Sequence, residues 1–436
     1  MPTPGIKGNM NRLKCAVFIT LLFSICIAAE QSPAPYDWPR WLGADGTGAS
    51  PAKNLLSEWP KEGPEILWRI PAGIGWSCPI IYDNRLYLTS LEDKTTEAVR
   101  CLDAFSGKEI WKYTYKVKYE KMEYGQGGPR AAPAATGKYL YTIGAMGNLF
   151  CFDRQTGRII WERELDREYP TARRAWKGWN ISPLPVGGKI IVNLGPDPEK
   201  NNERCVAFNF ETGKVEWLYK SPVKIETTIQ VSQTPQVTVY AGEKYILYSP
   251  YCRLSALRVS DGKPLWSYQL SEGKNTIATP LLFGDYILEQ PFEKEQILLS
   301  VTGEAGKYNV KEVWKTKNSP SGNYSYTNYG GNLYGFASCF PLVCVSLAKG
   351  TVLWSKYGFK IDASLMVADG RLYIRSGRDL IIAEATPSGY KELSRTTFKV
   401  PVGNNDYIGW ALPIIANGNM YLRFSKELLC VNIKNK

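Results

Sequence analysis

Short runs of alternating apolar and polar residues, separated by turn residues, recur along most of the chain. One phrase places a glycine four positions before a tryptophan, and it occurs five times, ending at Trp111, Trp161, Trp217, Trp266 and Trp354. Glycine readily takes the positive φ of a tight turn, and the tryptophan then holds a fixed position in the next strand. The phrase therefore predicts a repeated β-hairpin.

A second phrase, a turn followed by alternating apolar residues, accompanies the first, as at 83–88, 137–141 and 369–374. With a strand around Trp68 and a degenerate copy at Trp314, successive strand tryptophans lie 40 to 56 residues apart. This spacing is typical of four-stranded propeller blades. We predict an all-β fold, an eight-bladed β-propeller of four-stranded blades.

Ring closure is the next inference from the repeats. The eighth repeat, near 410–434, ends without a tryptophan strand of its own, and the N-terminal strand around Trp68 can complete that blade and remove the open sheet edges. Seven blades are the alternative, because the repeat near 364–398 lacks the tryptophan. We assign the propeller to 66–436 and expect 30–65 to form an N-terminal extension packing on it.

The first 29 residues have the pattern of a secretory signal peptide. Three basic residues precede an apolar run at 16–27, which is too short to span a bilayer, and Ala28 and Ala29 offer small residues for cleavage. Cys26 does not follow a small residue, so we do not expect a lipoprotein. We expect a periplasmic or secreted protein with no transmembrane segment after the signal.

Composition narrows the possible chemistry. The chain contains no histidine, which excludes Ser-His-Asp and Cys-His nucleophile systems and histidine-based zinc sites. The net charge is +12, but the basic residues are dispersed, so we expect no nucleic-acid partner. Five of the ten cysteines recur in one local frame of the repeat, as at Cys101 and Cys151, which indicates small buried packing groups, although their disulfide state stays open.

The phrases at 101–111 and 151–161 and the stretch at 37–43 resemble the PQQ-like β-propeller repeat proteins. That superfamily includes the quinoprotein alcohol dehydrogenases and the propeller lipoprotein of the outer-membrane protein assembly machinery. The dehydrogenase resemblance implies a quinone (PQQ) over the central channel, Ca²⁺ held by carboxylate and amide oxygens, an aspartate base and often a disulfide between adjacent cysteines. This chain has no adjacent cysteines, and no acidic residue matches the family's ligands or base, so we assign no catalytic, cofactor-binding or metal residues.

The repeat specifies the fold better than the function. We expect an exported, monomeric, non-catalytic binding or scaffold module of the periplasm or cell envelope, with an envelope protein, a glycan or a small molecule bound at the central funnel. A PQQ-dependent oxidoreductase with Ca²⁺ is the alternative. Loops that lead into the innermost strands converge on the ring axis and are the best place for a site. The candidate residues in these loops are Trp76, Arg130, Arg173, Arg174, Trp179, Asn180 and Trp410.

Overall fold

The computed structural model describes most of the chain, in thirteen stretches. These are residues 1, 37–119, 128–171, 178–224, 233–249, 253–270, 278–290, 295–304, 306–316, 326–337, 341–399, 411–424 and 426–435. In these stretches the regular structure consists of 33 β-strands and one short helix, α1 (Leu165–Glu168). The predicted all-β class is confirmed.

The strands form eight antiparallel sheets of four strands, with one short parallel strand, β1 (Ala49–Ser50), added to the seventh. Each sheet is one blade, and its strands follow one another from the ring axis to the outer wall. Blades 1 to 4 consist of β3 (Ile80–Tyr82), β4 (Arg85–Asp93), β5 (Thr96–Asp103) and β6 (Glu109–Lys116); β7 (Ala134–Thr136), β8 (Tyr139–Ile143), β9 (Asn148–Asp153) and β10 (Ile159–Glu164); β11 (Leu184–Val186), β12 (Lys189–Pro196), β13 (Asn202–Asn209) and β14 (Val215–Lys224); and β15 (Gln236–Tyr240), β16 (Glu243–Tyr248), β17 (Arg253–Arg258) and β18 (Pro264–Gln269).

The remaining blades follow the same plan. Blades 5 to 8 consist of β19 (Leu281–Phe283), β20 (Tyr286–Glu289), β21 (Gln296–Glu304) and β22 (Lys307–Thr316); β23 (Thr327–Tyr329), β24 (Asn332–Phe336), β25 (Leu342–Ser346) and β26 (Val352–Lys356); β27 (Ser364–Ala368), β28 (Arg371–Ser376), β29 (Asp379–Glu384) and β30 (Glu392–Thr397); and β31 (Ile414–Ala416), β32 (Asn419–Phe424), β33 (Glu427–Asn432) and β2 (Ile66–Pro71).

The last blade closes the ring as predicted. Strand β2 pairs antiparallel with β33, and Trp68 lies opposite Cys430, so the N-terminal strand is the outermost strand of blade 8. Blade 7 is a complete four-stranded sheet although its outer strand has no tryptophan. The seven-bladed alternative is therefore wrong.

Tryptophans on the outer strands link each blade to the next one. A Cβ on Gly213 of blade 3 would lie 2.6 Å from the ring of Trp161 in blade 2, so only glycine permits this contact, and its φ of +67° also requires one. The Trp161 Nε1–H donates to the Phe210 carbonyl in the same turn (3.0 Å). Within the described residues there are six such hydrogen bonds, from Trp68 to Ala104, Trp111 to Arg154, Trp161 to Phe210, Trp217 to Val259, Trp314 to Leu347 and Trp354 to Thr386.

The junction between blades 4 and 5 departs from this pattern. Trp266 carries the same sequence phrase, yet its buried Nε1–H makes no hydrogen bond of good geometry within the described stretches. Strands β21 and β22 continue into a longer hairpin that turns between Glu304 and Lys307, and Tyr308 packs on Tyr240 at 4.9 Å between ring centroids. Tyr240 also contacts the Trp266 ring. Aromatic packing therefore replaces the tryptophan-glycine contact at this junction.

Residues 37–50, here called the axial segment, lie across the opening of the ring. They enter beside Asp83, whose N–H donates to Asp37, and bridge to Ile81 of blade 1 through Trp38. The segment also contacts the innermost strands of blades 2, 4, 6, 7 and 8, through Pro39, Gly46, Gly48, Ala49 and Ser50, respectively. In blade 5, Trp41 contacts Thr279, just before the innermost strand. A segment that contacts the inner wall of seven blades occupies the centre of the ring.

The hydrophobic core lies between the faces of adjacent blades. It is divided into clusters, such as the one around Leu149, Phe208 and Trp161 between blades 2 and 3. The cysteines of the described residues are free and buried; they are Cys78, Cys101, Cys151, Cys205, Cys344 and Cys430. Their positions agree with small packing groups, and burial raises the pKa of the Cys101 thiol to about 11.

Candidate binding site at the loop face

The two ends of the ring differ in their connections. At one end, the turn face, tight turns join the first strand of a blade to the second and the third strand to the fourth, as at Asp83 and Gly107. At the other end, the loop face, longer connections lead from the outermost strand of one blade to the innermost strand of the next. The candidate residues that the structure describes lie in these connections at the loop face; they are Trp76, Arg130, Trp179 and Asn180.

Trp76 and Arg130 come together at this face. They precede the innermost strands of blades 1 and 2, and the backbone N–H of Trp76 donates to the Pro129 carbonyl (3.0 Å). The Arg130 guanidinium lies over the Trp76 ring, 5.7 Å from its centroid. Both side chains are half-buried, and burial lowers the pKa of Arg130 to about 10, against the opposing effect of Tyr119. The pair is a preformed cation–π contact with part of its surface open to solvent.

Trp179 has a different environment. It is 8% exposed and packs into the core between blades 2 and 3, and its backbone N–H donates to the Ala145 carbonyl (2.8 Å). Its indole ring fits against Gly147, where a Cβ would lie 2.7 Å from Nε1. The ring therefore covers the end of the core and offers little surface to a ligand. Asn180, the next residue, is half-buried at the same face.

Three candidates, Arg173, Arg174 and Trp410, lie outside the described residues and stay predictions, as does the signal peptide at 1–29. Of the four described candidates, the structure brings Trp76 and Arg130 together, whereas Trp179 and Asn180 are neighbours in the sequence.

The axial segment supplies site residues that the sequence analysis missed. Its tip, Ala44 and Asp45, is exposed, and it lies at the loop face because its neighbours contact the first residues of the inner strands. The Trp41 Nε1–H donates to the Thr279 hydroxyl (3.2 Å), and Gly46 packs against the Gln236 side chain. Arg40 lies behind this tip, half-buried, and its Nη2 donates to the Ala44 carbonyl (2.9 Å).

A buried carboxylate fixes the first of the long connections. Glu97, at the start of β5, accepts hydrogen bonds from the hydroxyls of Tyr115 and Tyr119 and from the Ala145 N–H (3.3 Å). The Tyr119 oxygen in turn accepts from the Gly128 N–H (3.1 Å). Desolvation raises the pKa of Glu97 although these hydrogen bonds oppose the shift. The network ties the connection that carries Arg130 to blade 1.

Two buried arginines end the second strands of blades 7 and 8. Arg375 forms an ion pair with Asp362 (3.2 Å) in which both side chains are 1% exposed. Arg423, also 1% exposed, donates to the Ser77 and Thr89 carbonyls (3.1 and 2.9 Å), while its Nε and Nη2 have no partner among the described residues. Burial lowers the pKa of Arg423 to about 9. Both guanidinium groups tie second strands to the loops before inner strands.

Blades 4 and 5 carry a group of buried polar side chains at the loop face. Gln236, Glu289, Gln290 and Gln296 are each at most 3% exposed, and each has side-chain atoms without a hydrogen bond of good geometry within the described stretches. Burial raises the pKa of Glu289 well above its ordinary value, although the Ser249 hydroxyl and the Gln290 N–H oppose the shift. A neutral carboxyl is therefore favoured at this position.

Comparison with known proteins agrees with this architecture. The ring of four-stranded blades linked by tryptophan-glycine contacts defines a PQQ-like β-propeller. The family profile described as outer membrane protein assembly factor BamB matches residues 95–334, more than half of the chain, and the chain belongs to this family. The resemblance to PQQ-like β-propeller proteins and the predicted fold are thereby confirmed.

Curated relatives are quinoprotein dehydrogenases. The chain is 23% identical over 57% of its length to "Alcohol dehydrogenase (quinone), dehydrogenase subunit" of Gluconacetobacter polyoxogenes, and 29% identical over 32% of its length to "Quinohemoprotein alcohol dehydrogenase ADH IIB" of Pseudomonas putida. The matches cover 34% and 19% of those proteins. The chain thus matches about a third or less of the length of these relatives.

Solved structures show the same fold. BamB from Moraxella catarrhalis superposes with a TM-score of 0.59 at 14% identity, covering 85% of this chain and all of that one. Quinohemoprotein alcohol dehydrogenase from Comamonas testosteroni gives a TM-score of 0.65 at 14% identity, covering 92% and 80%. Among the described residues, no helix has the length and apolar character needed to cross a bilayer.

The residues described on the axis do not fit a quinone held with Ca²⁺. A hard cation needs several converging oxygen ligands, and no three Asp, Glu, His or Cys side chains converge within the described stretches. The axial segment fills the ring up to the loop face, and it brings a guanidinium, Arg40, to this position. The Asp45 Oδ1 is already the acceptor for the N–H and hydroxyl of Thr47 (3.0 and 2.9 Å).

Proposed function

We propose that this protein is an exported, non-catalytic β-propeller that acts as a binding or scaffold module in the periplasm or cell envelope. The loop face is the binding surface, and its partner is an envelope protein, a glycan or a small molecule. The description of the matching family, an outer membrane protein assembly factor, supports a scaffold role.

One observation carries the proposal. The axial segment occupies the centre of the ring with the chain's own residues, in contact with the inner wall of seven blades. Its exposed tip and the half-buried pair of Trp76 and Arg130 form a surface at the loop face that includes an aromatic ring with a guanidinium on it. Aromatic and arginine side chains are enriched at binding surfaces because they provide large contact areas and directed hydrogen bonds.

A quinone-dependent oxidoreductase is the second candidate, and the printed names of the dehydrogenase relatives favour it. A titration separates the two. We expect no saturable quenching of tryptophan fluorescence when PQQ and Ca²⁺ are added to the purified protein. Saturable quenching that requires both, and that is lost in Trp76→Ala with the fold retained by circular dichroism, would contradict the scaffold proposal.

Photo-crosslinking in the cell tests the binding surface directly. A photoreactive amino acid at position 130 is expected to give a discrete adduct, and Trp76→Ala is expected to weaken it. Phe105 is the matched control position because it is 49% exposed and lies in a tight turn at the turn face. Equal adducts at positions 130 and 105, or a position-130 adduct that does not respond to Trp76→Ala, would count against the loop face.

A further inference from the structure

The guanidinium of Arg40 has unused hydrogen-bonding capacity on the ring axis. Among the described residues it makes one hydrogen bond, to the Ala44 carbonyl (2.9 Å), and no ion pair. The Arg40 side chain is only half-buried although it lies within the ring. An arginine carries five N–H donors and no acceptor. Most of these donors are therefore available to water or to a ligand.

Gln236, the first residue of β15, provides an independent observation beside it. This side chain is 1% exposed, and its Nε2 has no hydrogen-bond partner in the part of the chain that the structure describes. A buried amide without a partner costs about 1–3 kcal/mol. The amide group therefore also has a donor available for a bound molecule.

Gly46 brings these two groups close together. A Cβ at this position would lie 2.3 Å from Gln236 Oε1 and 3.7 Å from Arg40 Nη2, so the Gln236 side chain packs directly on the glycine, and the φ of +75° also requires one. Which end of the Gln236 amide faces Arg40 is an assignment that a bound ligand can reverse by a flip of the amide. A guanidinium and an amide that can donate thus lie side by side.

The positive charge of Arg40 favours an anionic ligand. Desolvation lowers the pKa of Arg40 to about 10, and Asp45 opposes the shift, so the guanidinium stays protonated at neutral pH. The Asp45 carboxylate bonds within its own turn to Thr47 and makes no ion pair with Arg40. The planar fork of an arginine matches the two oxygens of a carboxylate.

We propose that the loop-face end of the axis binds a carboxylate, which Arg40 receives as a bidentate pair and to which the Gln236 amide donates a further hydrogen bond. The carboxylate is either that of a small free acid or the C-terminus of a partner polypeptide. This inference rests on the proposed function in one respect, because both place binding at the loop face.

Calorimetric titration of the purified protein tests the site and separates the two sources. The probes are succinate, tetra-alanine with a free C-terminus and the same peptide as its C-terminal amide. We expect saturable binding of at least one free carboxylate and none of the amide. Succinate binding alone identifies a small acid, and peptide binding alone identifies a chain terminus. Binding of the amide as tightly as the free acid, or tighter binding of inorganic phosphate, would overturn the proposal.

Three variants check the assigned roles. Arg40→Gln is expected to weaken binding by about tenfold or more, and Gln236→Leu by a smaller factor, because a charged pair contributes more than one neutral hydrogen bond. Asp45→Asn is expected to tighten binding because it removes a negative charge near the ligand. Arg158→Gln, at an exposed position of a turn-face hairpin, is the matched control and should change nothing. Unchanged affinity in Arg40→Gln, or weaker binding in Asp45→Asn, would rule out the site.

Further results test the bidentate pair and separate this inference from the proposed function. If Arg40→Gln does not fold, Arg40→Lys retains the cation without the fork and should still bind, more weakly and with less preference for carboxylate over phosphate; equal affinity and preference would contradict the bidentate pair. Carboxylate binding without a cross-linked partner at position 130 would contradict the scaffold role alone. A cross-linked partner without carboxylate binding would contradict this inference alone.

Discussion

The turn face and the loop face of this ring differ in how fully their buried polar groups are hydrogen-bonded. At the turn face, a tryptophan-glycine contact is repeated between blades. Each tryptophan that makes it donates its indole N–H to a carbonyl of the next blade, as Trp161 does to Phe210. At the loop face, buried polar groups such as Gln236 and Arg423 keep atoms without partners in the described stretches. Each such atom costs about 1–3 kcal/mol. The comparison teaches that stability is concentrated at one end of the ring and unused binding capacity at the other.

The strongest way to test this contrast is to disturb a turn-face glycine. Gly213→Ala places a Cβ 2.6 Å from the Trp161 ring at a φ of +67°, and we expect a loss of about 3 kcal/mol in the free energy of unfolding. Gly242→Ala is the matched control, because its φ of +78° carries the same backbone strain with no atom within 4 Å, and it should lose about 1 kcal/mol. Equal losses in chemical denaturation would show that the tryptophan contact does not stabilise the ring.

At the loop face, Glu289→Gln tests the cost of a buried carboxyl. Burial raises the folded-state pKa of Glu289 well above 4.5, so the folded protein binds more protons than the unfolded chain. Stability should therefore fall as pH rises from about 4.5 toward the folded pKa, by at most about 1.4 kcal/mol per pH unit. Glu289→Gln should remove this contribution, so that its advantage over the wild type grows with pH in thermal melts.

Glu304→Gln is the control for that measurement, because Glu304 is exposed in a turn-face hairpin. Its melting temperature should follow the wild type across the same pH range. An advantage of Glu289→Gln that stays constant with pH would mean that the carboxyl titrates in the folded protein as it does in the unfolded chain.

The smallest expected effect is a difference in destabilisation between two junctions of the turn face. Trp161→Phe removes the hydrogen bond to the Phe210 carbonyl, whereas Trp266→Phe removes an N–H that makes no hydrogen bond of good geometry among the described residues. Both lose a similar ring area at similar burial, so the difference isolates the hydrogen bond. We expect Trp161→Phe to destabilise the protein by about 1 kcal/mol more than Trp266→Phe in the same denaturation experiment. A larger loss in Trp266→Phe would contradict the distinction between the junctions.

The repeated phrases could be predicted from the sequence because each encodes a local structure. The closure of blade 8 by Trp68 follows from counting strands, and five glycine-tryptophan phrases lead to the correct ring. The phrase ending at Trp266 looks identical, yet its contact depends on the neighbouring hairpin of blade 5, where Tyr308 packs instead. A local pattern specifies a strand but not what the next blade presents to it.

The site was less predictable, for the same reason. Trp179 and Trp76 occur in the same sequence phrase, but the first is covered by blades 2 and 3 while the second keeps part of its surface. Arg40 and Gln236 lie far apart in the chain and belong to no shared motif, so only the fold brings them together. The glycines around Asp45, with Thr47 two residues later, signal a tight turn in the axial segment, but no sequence signal places this turn on the axis.

The axial segment also has a consequence for the order of assembly. It leaves the ribosome before every strand that forms its surroundings, and β2, which follows it, finds its partner β33 only when the last blade has been made. Contacts between residues so far apart in sequence form slowly. The first part of the ring to be synthesised is thus among the last to reach its place, and until then Trp38 and Trp68 are exposed to any chaperone that binds unfolded chains.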